Sequence, residues 1–150
     1  MKGMKRRKPD KPEQEQIVIS KRNTTQESAV VVVANEPELS DAIERMLLPS
    51  HGYRVVRWTE CDYENRETFL GNGIDAFVVE VGGRGTKGLD MVYNLRRDFP
   101  VSCVVATGHY SSDCLRRSLA ECGADAFVSR QRIAHDLADT LRRLLLYTGT

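Results

Sequence analysis

Four consecutive valines at positions 30–33 constrain the fold more than any other feature of this chain. An uninterrupted β-branched run suits a strand that is buried on both faces of a sheet. Four further short runs rich in apolar residues follow it, at positions 53–58, 76–79, 103–106 and 126–129, the first of them interrupted by Arg54 and Arg57. Because segments with helical periodicity separate these runs, the pattern predicts a parallel sheet with helices on both faces.

The helical segments carry apolar residues three and four positions apart, which is the spacing of one helix face. The first such set lies at positions 39, 42, 43, 46 and 47, before Pro49 and Gly52 end it. In the third helix Leu89, Val92 and Leu95 are expected to face inward. The strongest set lies at positions 133, 134, 137, 138, 141, 144 and 145 and predicts a long final helix.

Small polar residues and a glycine mark the ends of the shorter helices. We expect Asp62 to cap a second helix that runs to about Leu70. Either Ser111 or Ser112 should cap the fourth helix, and Gly123 should close it.

Five strand–helix units within residues 29–150 match one fold class closely. They fit a flavodoxin-like, doubly wound, five-stranded parallel sheet with strand order 2-1-3-4-5 and helices on both faces. Right-handed crossovers would then bring the carboxyl ends of the strands, and any functional site, to one edge of the sheet.

The charge of the chain is unevenly distributed. Residues 1–28 contain eight Lys and Arg against four Asp and Glu, whereas the remainder contains fourteen against seventeen. The first segment is also poor in large apolar residues, so we predict a flexible basic tail at 1–28 and a single domain at 29–150. Within the tail, residues 16–20 (Gln-Ile-Val-Ile-Ser) form the one stretch that could pair as a short edge strand.

Composition limits the location and the cofactors of the protein. The longest uninterrupted apolar run, residues 29–34, is far shorter than the roughly 20 residues that span a bilayer. The four cysteines lack metal-ligand spacing, which favours a reducing compartment, with redox pairing of Cys114 and Cys122 as a weak alternative. We therefore expect a cytoplasmic protein with no membrane span, no metal and no cofactor.

Four segments give the chain a resemblance to a known family. They are Ala-Asn-Glu-Pro-Glu-Leu at 34–39, the strand, loop and helix start at 75–89, Ala-Thr-Gly-His at 106–109, and residues 122–131. Together they resemble the receiver domain of two-component response regulators, and the resemblance covers residues 29–147. In that family an aspartate at the end of the third strand accepts a phosphoryl group from a histidine kinase.

The resemblance assigns roles to individual positions. Glu80 takes the place of the phosphoacceptor aspartate, Ala34 and Asn35 replace the acidic pair that would hold Mg²⁺, and Glu36 keeps the flanking acid. By the same resemblance, Thr107 is the switch hydroxyl and Phe127 the switch aromatic residue. Arg130 replaces the lysine of the family, and Gln131 replaces its proline.

These replacements predict that the phosphorylation site is degenerate. Mg²⁺ requires anionic oxygen ligands in a tight octahedral arrangement. Ala34 offers no side-chain oxygen, and Asn35 offers only a neutral one. The additional methylene of Glu80 also moves its carboxylate outward by about one C–C bond, roughly 1.5 Å. We therefore expect no aspartyl-phosphate chemistry and no enzymatic activity.

Arg130 is expected to pair directly with Glu80, because its planar guanidinium matches a carboxylate. Two interpretations of this pair remain open. Glu80–Arg130 is either a salt bridge that fills a vacated pocket, or Glu80 imitates a phosphorylated aspartate and holds Thr107 and Phe127 in one state.

The sequence thus favours a phosphorylation-independent pseudo-receiver that acts as a protein-interaction module in bacterial two-component-type signalling. The resemblance implies that a kinase, an output protein or a second copy would bind through the fourth helix, fifth strand and fifth helix. A nucleic-acid-associated regulator that uses its basic tail and dimerises through the domain is the alternative. A third possibility is a competent receiver that uses Glu80.

Overall fold

The computed structural model describes residues 28–48, 52–65, 73–82, 87–109 and 112–148. The predicted tail at 1–28 lies outside these residues except for Ser28, which begins the first strand. Strands and helices alternate along the described chain. They are β1 (Ser28–Val33), α1 (Pro37–Leu47), β2 (Tyr53–Trp58), α2 (Glu60–Glu64), β3 (Ala76–Glu80), α3 (Lys87–Asp98), β4 (Cys103–Gly108), α4 (Asp113–Cys122), β5 (Ala126–Ser129), a 3-10 turn (Arg130–Arg132) and α5 (Ile133–Thr148).

The five strands form one parallel sheet in the order β2-β1-β3-β4-β5. The predicted flavodoxin-like topology is therefore confirmed. The register aligns the ends of the strands, since Val33 lies opposite both Trp58 and Val79, and Glu80 lies opposite Thr107. Among the described helices, none is long and apolar enough to cross a membrane.

The valine run of β1 lies between β2 and β3 in the sheet and is buried throughout. Successive side chains of a strand point to opposite faces, so the run contributes to two cores. Val30 and Val32 pack with residues of α1 and α5, whereas Val31 and Val33 pack with residues of α2, α3 and α4. On that second face the rings of Trp58, Phe77 and Phe99 contact one another, with centroids 4.9–6.3 Å apart.

The N-terminus of α2 differs from the prediction. Thr59, and not Asp62, is the N-cap residue, because β2 ends at Trp58 and Thr59 is the next extended residue with a hydroxyl. Asp62 occupies the third helical position, where its carboxylate accepts from the Thr59 backbone N–H at 2.8 Å. The two side chains form a reciprocal capping box. The helix ends at Glu64, and the rest of the stretch predicted to reach Leu70 lies outside the described residues.

Both ends of α4 agree with the sequence. The hydroxyl of Ser112 accepts from the backbone N–H of Leu115 at 3.1 Å, while Ser111 lies outside the described residues. Gly123 closes the helix with φ +113°, a left-handed conformation that glycine adopts without strain. Strand β4 continues to Gly108, two residues beyond its predicted end.

Two aspartates join neighbouring strands at the amino edge of the sheet. Asp75 precedes β3 and accepts from the backbone N–H of Ala29 at 2.8 Å. Asp125 precedes β5 and accepts from the N–H of Val104, also at 2.8 Å. Each carboxylate therefore satisfies a backbone donor at the start of an adjacent strand.

Arg96 of α3 connects the elements on this edge. Its guanidinium donates to the carbonyl oxygens of Pro100, Ser102 and Gly123 at 2.8–3.0 Å and pairs with Asp125 at 2.6 Å. One side chain thus joins α3, the start of β4, the end of α4 and the start of β5.

Replacing Arg96 with Met should lower the free energy of unfolding by about 2–4 kcal/mol, because several charge-assisted hydrogen bonds are lost together. Arg97→Met is the matched control on the same helix, since Arg97 is exposed and pairs with its neighbour Asp98. That control should leave the free energy of unfolding nearly unchanged. Urea unfolding of the two variants tests this, and equal losses would contradict the assigned role of Arg96.

Candidate functional site

A cleft of about 350 Å³ opens at the carboxyl edge of the sheet. The loop after β1, the end of β3, the start of α3, the end of β4 and the turn after β5 all contribute to its wall. Its lining residues are Val33, Ala34, Asn35, Glu36, Val79, Glu80, Val81, Gly82, Gly88, Met91, Gly108, His109 and Arg130. The structure thus brings together Ala34, Asn35, Glu36, Glu80 and Arg130, as the sequence predicted.

Arg130 is the central charged group of the cleft. Its guanidinium lies 3.5 Å from the carboxylate of Glu80, so the structure contains the predicted pair. Glu36 is closer, at 3.0 Å, and Nε2 of His109 lies 3.3 Å from Nη1 of Arg130. The sequence did not identify Glu36 as a partner of Arg130, although it marked Glu36 as an acid beside the site.

Two carboxylates therefore share one guanidinium. The side chains of Arg130 and Glu80 are largely buried, with 21% and 24% of their surface exposed, whereas Glu36 is 53% exposed. Burial and the negative charge of Glu36 raise the pKa of Glu80 above its ordinary value of 4.5. The backbone N–H of Asn35 and the charge of Arg130 oppose this rise without cancelling it. The cleft thus carries more negative than positive charge when Glu80 is ionised.

Thr107 lies beside Glu80 in the sheet but outside the cleft lining. Its side chain is fully buried, and its hydroxyl has no hydrogen-bond partner among the described residues. In this conformation Glu80 therefore does not hold Thr107. Thr107 is therefore a polar group in an apolar environment. An unpaired buried hydroxyl typically lowers the free energy of unfolding by about 1–3 kcal/mol.

Phe127 also lies away from the cleft. Its half-buried ring packs against the core under α3 and α4. The guanidinium carbon of Arg116 lies 5.1 Å from the ring centroid, which is the geometry of a cation–π contact. The two candidate switch residues, Thr107 and Phe127, are thus in place in the fold, but among the described residues no side-chain hydrogen bond or ion pair links either of them to Glu80.

Two glycines allow the cleft wall to pack closely around Val81. A Cβ atom on Gly88 would lie 2.8 Å from Cβ of Val81, and one on Gly108 would lie 2.5 Å from its carbonyl oxygen. The N–H of Val81 donates to the carbonyl of Thr107 at 2.8 Å. The sequence marked the position of Gly88, but Gly108 was missed because only its packing reveals its role.

The turn that carries Arg130 is stabilised by its own residues. The hydroxyl of Ser129 accepts from the backbone N–H of Gln131 at 3.2 Å. Proline, the family residue at this position, has no N–H to donate. Gln131 therefore adds a hydrogen bond at the point where β5 passes into the 3-10 turn.

The donor set does not suit Mg²⁺. Ala34 and Asn35 supply no anionic oxygen, and both available carboxylates are already in contact with a guanidinium. Within the described part of the chain, no three His, Cys, Asp or Glu side chains are arranged to hold a metal ion. Of the Gly-rich loop that follows β3, residues 83–86 lie outside that part.

The fold is similar to that of several solved proteins. A response regulator from Thermotoga maritima is 21% identical with a TM-score of 0.69, and the match covers 80% of this chain and 98% of that one. The RcsB response regulator of Salmonella typhimurium is 15% identical with a TM-score of 0.70, and the match covers 82% of this chain and 62% of that one. This chain therefore spans less than two thirds of the length of RcsB. A pilus assembly-related protein from Burkholderia pseudomallei is 17% identical with a TM-score of 0.67, and the match covers 77% of this chain and 87% of that one.

No protein-family model matches the chain, and no curated protein matches its sequence. Structural similarity at these identities establishes the fold and leaves the function open. The described domain therefore has the fold of a receiver domain, and its activity has to be inferred from the cleft.

The raised pKa of Glu80 predicts the pH dependence of stability. The folded state holds the Glu80 proton more tightly than the unfolded state, so the contribution of Glu80 to stability is greatest below about pH 4.5 and is lost as pH rises through the folded pKa. Glu80→Gln should therefore gain stability relative to the wild type between pH 5 and 7. Urea unfolding of both proteins at the two pH values measures this, and an opposite slope would show that Glu80 is a stabilising anion.

Because Arg130 contacts two carboxylates, removing Arg130 and removing Glu80 should have unequal effects on the free energy of unfolding. Arg130→Met leaves two carboxylates without their cation and should cost about 1–2 kcal/mol at pH 7, between exposed and buried pairs. Glu80→Gln should not cost stability at this pH, because the pKa of Glu80 is raised in the folded state and Arg130 keeps Glu36. The double variant should be at least about 0.5 kcal/mol more stable than the sum of the two single effects predicts. If the effects simply add, Glu80 and Arg130 do not interact.

Proposed function

We propose that this protein is a pseudo-receiver, a non-catalytic protein-interaction module of bacterial two-component-type signalling that acts in the cytoplasm without being phosphorylated. The receiver fold supports the class of protein. The contents of the cleft support the loss of phosphorylation.

One observation carries the proposal: a guanidinium lies between the two carboxylates of the cleft, 3.0 Å from Glu36 and 3.5 Å from Glu80. Phosphoryl transfer to a carboxylate requires a free nucleophile and mobile or positioned cations that neutralise the phosphate. In this cleft a longer side chain stands at the nucleophile position, and the cation that contacts it belongs to the chain itself.

The surface proposed for partner binding is formed by α4, β5 and α5. Several of its arginines are engaged with neighbouring side chains: Arg132 pairs with Asp136 at 3.0 Å, and Arg142 pairs with Asp139. Arg116 lies over Phe127. Arg117 and Arg143 are exposed. We propose that these two favour an acidic surface on the partner, which is a kinase, an output protein or a second copy of the chain.

Treatment with acetyl phosphate and Mg²⁺ tests the proposal directly. The intact mass should be unchanged, while a receiver with an intact acidic pair and aspartate, treated in the same tube, should gain one phosphate. Addition of one phosphate at Glu80, located by peptide mass spectrometry, would mean that the protein is a competent receiver.

A nucleic-acid-associated regulator is the second candidate, because residues 5–8 read Lys-Arg-Arg-Lys. Contacts from these residues to phosphates would make binding strongly dependent on salt. If the protein is a pseudo-receiver, replacing all four residues with Gln should not change its binding to immobilised duplex DNA at about 150 mM salt. Binding should be negligible for both the wild type and the variant. Salt-sensitive binding that disappears in the variant would favour the regulator.

A further inference from the structure

Strand β2 forms one outer edge of the sheet, and it is the longer of the two edge strands. It has six residues, whereas β5 at the other edge has four. Edge strands present backbone donors and acceptors that invite a further strand, and proteins usually shorten, charge or cover them.

The hydrogen bonds to β1 show which backbone groups of β2 face outward. Ser28 donates to the carbonyl of Gly52 at 2.9 Å, and Ala34 donates to that of Trp58 at 3.1 Å. Backbone groups of alternate residues point to opposite sides of a strand. Even-numbered positions therefore face β1, and the N–H and C=O groups of Val55 and Arg57 face the side on which no described strand lies.

The side chains of β2 leave this edge accessible. Arg57 is drawn back over α1, where it pairs with Asp41 and Glu44 at 2.5 Å each. Val55 and Val56 lie on opposite faces of the strand, and both are only half-buried. A neighbouring strand with apolar, β-branched side chains would complete the burial of both valines.

We propose that residues 17–19 (Ile-Val-Ile) of the same chain add to the outer edge of β2 as a sixth, antiparallel strand. This is the only run of three large apolar residues among the 27 that precede β1. Its β-branched side chains suit a strand, and its alternation would place the two isoleucines on one face and Val18 on the other.

The shorter connection favours the antiparallel direction for the added strand. β1 and β2 begin side by side, with Ser28 opposite Tyr53. A strand beyond β2 lies two spacings, roughly 10 Å, from β1. In the antiparallel direction, residues 20–27 need to cover only this distance, and they reach up to about 26 Å. A parallel strand would end at the opposite edge, so the same residues would also have to return along the length of β2.

The antiparallel direction has a consequence for the basic residues. The chain before residue 17 would then start from the carboxyl edge of the sheet, which is the edge that holds the cleft with Glu36 and Glu80. The Lys-Arg-Arg-Lys sequence at 5–8 would be tethered on the acidic side of the domain, and its charge would complement the excess negative charge there.

Residue-resolved amide hydrogen exchange of the full chain tests the proposal. The amides of Val55 and Arg57 should be protected in the wild type. In the variant Ile17→Ser, Val18→Ser, Ile19→Ser they should exchange at least about tenfold faster, because only local pairing is lost. The amide of Val56 faces β1 and should change less than about twofold. The conservative variant Ile17→Val, Ile19→Val is the matched control and should retain the protection.

Two results would overturn the proposal. One is rapid exchange of Val55 and Arg57 in the wild type, which would mean that the edge is open. The other is protection that survives the serine substitutions. If that protection falls on dilution, a second copy of the chain covers β2. If it does not, another part of the chain does.

Discussion

The contact of Arg130 with two carboxylates is the interaction on which the candidate site depends. Glu36 and Glu80 approach one another at the carboxyl edge of the sheet, and a cation in contact with both reduces their mutual repulsion. A guanidinium that belongs to the chain is always charged and needs no binding equilibrium to be present. Because Arg130 begins the turn after β5 while Glu36 lies between β1 and α1, the same contact joins two segments that follow strands on opposite sides of β3.

This arrangement supports the proposal that the domain is not switched by phosphate. In the family that the sequence resembles, the charge of the site changes when a phosphoryl group arrives. In this chain the cation is permanent, and the buried hydroxyl of Thr107 has no described partner through which Glu80 could act. Of the two interpretations of the Glu80–Arg130 pair, the observed contacts therefore favour a salt bridge that fills the pocket. The proposed binding surface would then have a single state, set by folding.

The sequence predicted the fold because its strongest patterns are local. The valines predict strand β1 and the glycine predicts the end of α4 from the local sequence alone. The strand order follows from short right-handed connections. Because parallel strands share a carboxyl edge, the sequence also placed Glu80 and Arg130 at one site, but Thr107 and Phe127, which it assigned to the same site, do not line the cleft. It could not predict that Arg130 would lie nearer to Glu36 than to Glu80, because side-chain choice between two partners depends on distances of a few tenths of an ångström. The cap of α2 was misplaced for a related reason: Thr59 and Asp62 both suit capping, and only the end of β2 decides between them.

In the proposed site an arginine, and not a metal ion, is the cation that contacts the two carboxylates. A Mg²⁺ titration followed by amide chemical shifts of Asn35, Glu80 and Val81 tests this, with Ca²⁺ at the same ionic strength as the control for screening. We expect no saturable shift up to about 10 mM, because both carboxylates are already in contact with Arg130 and the remaining ligands are neutral or absent. A saturable, Mg²⁺-specific shift centred on Glu80 would show instead that the ion displaces Arg130 and that the receiver chemistry is still accessible.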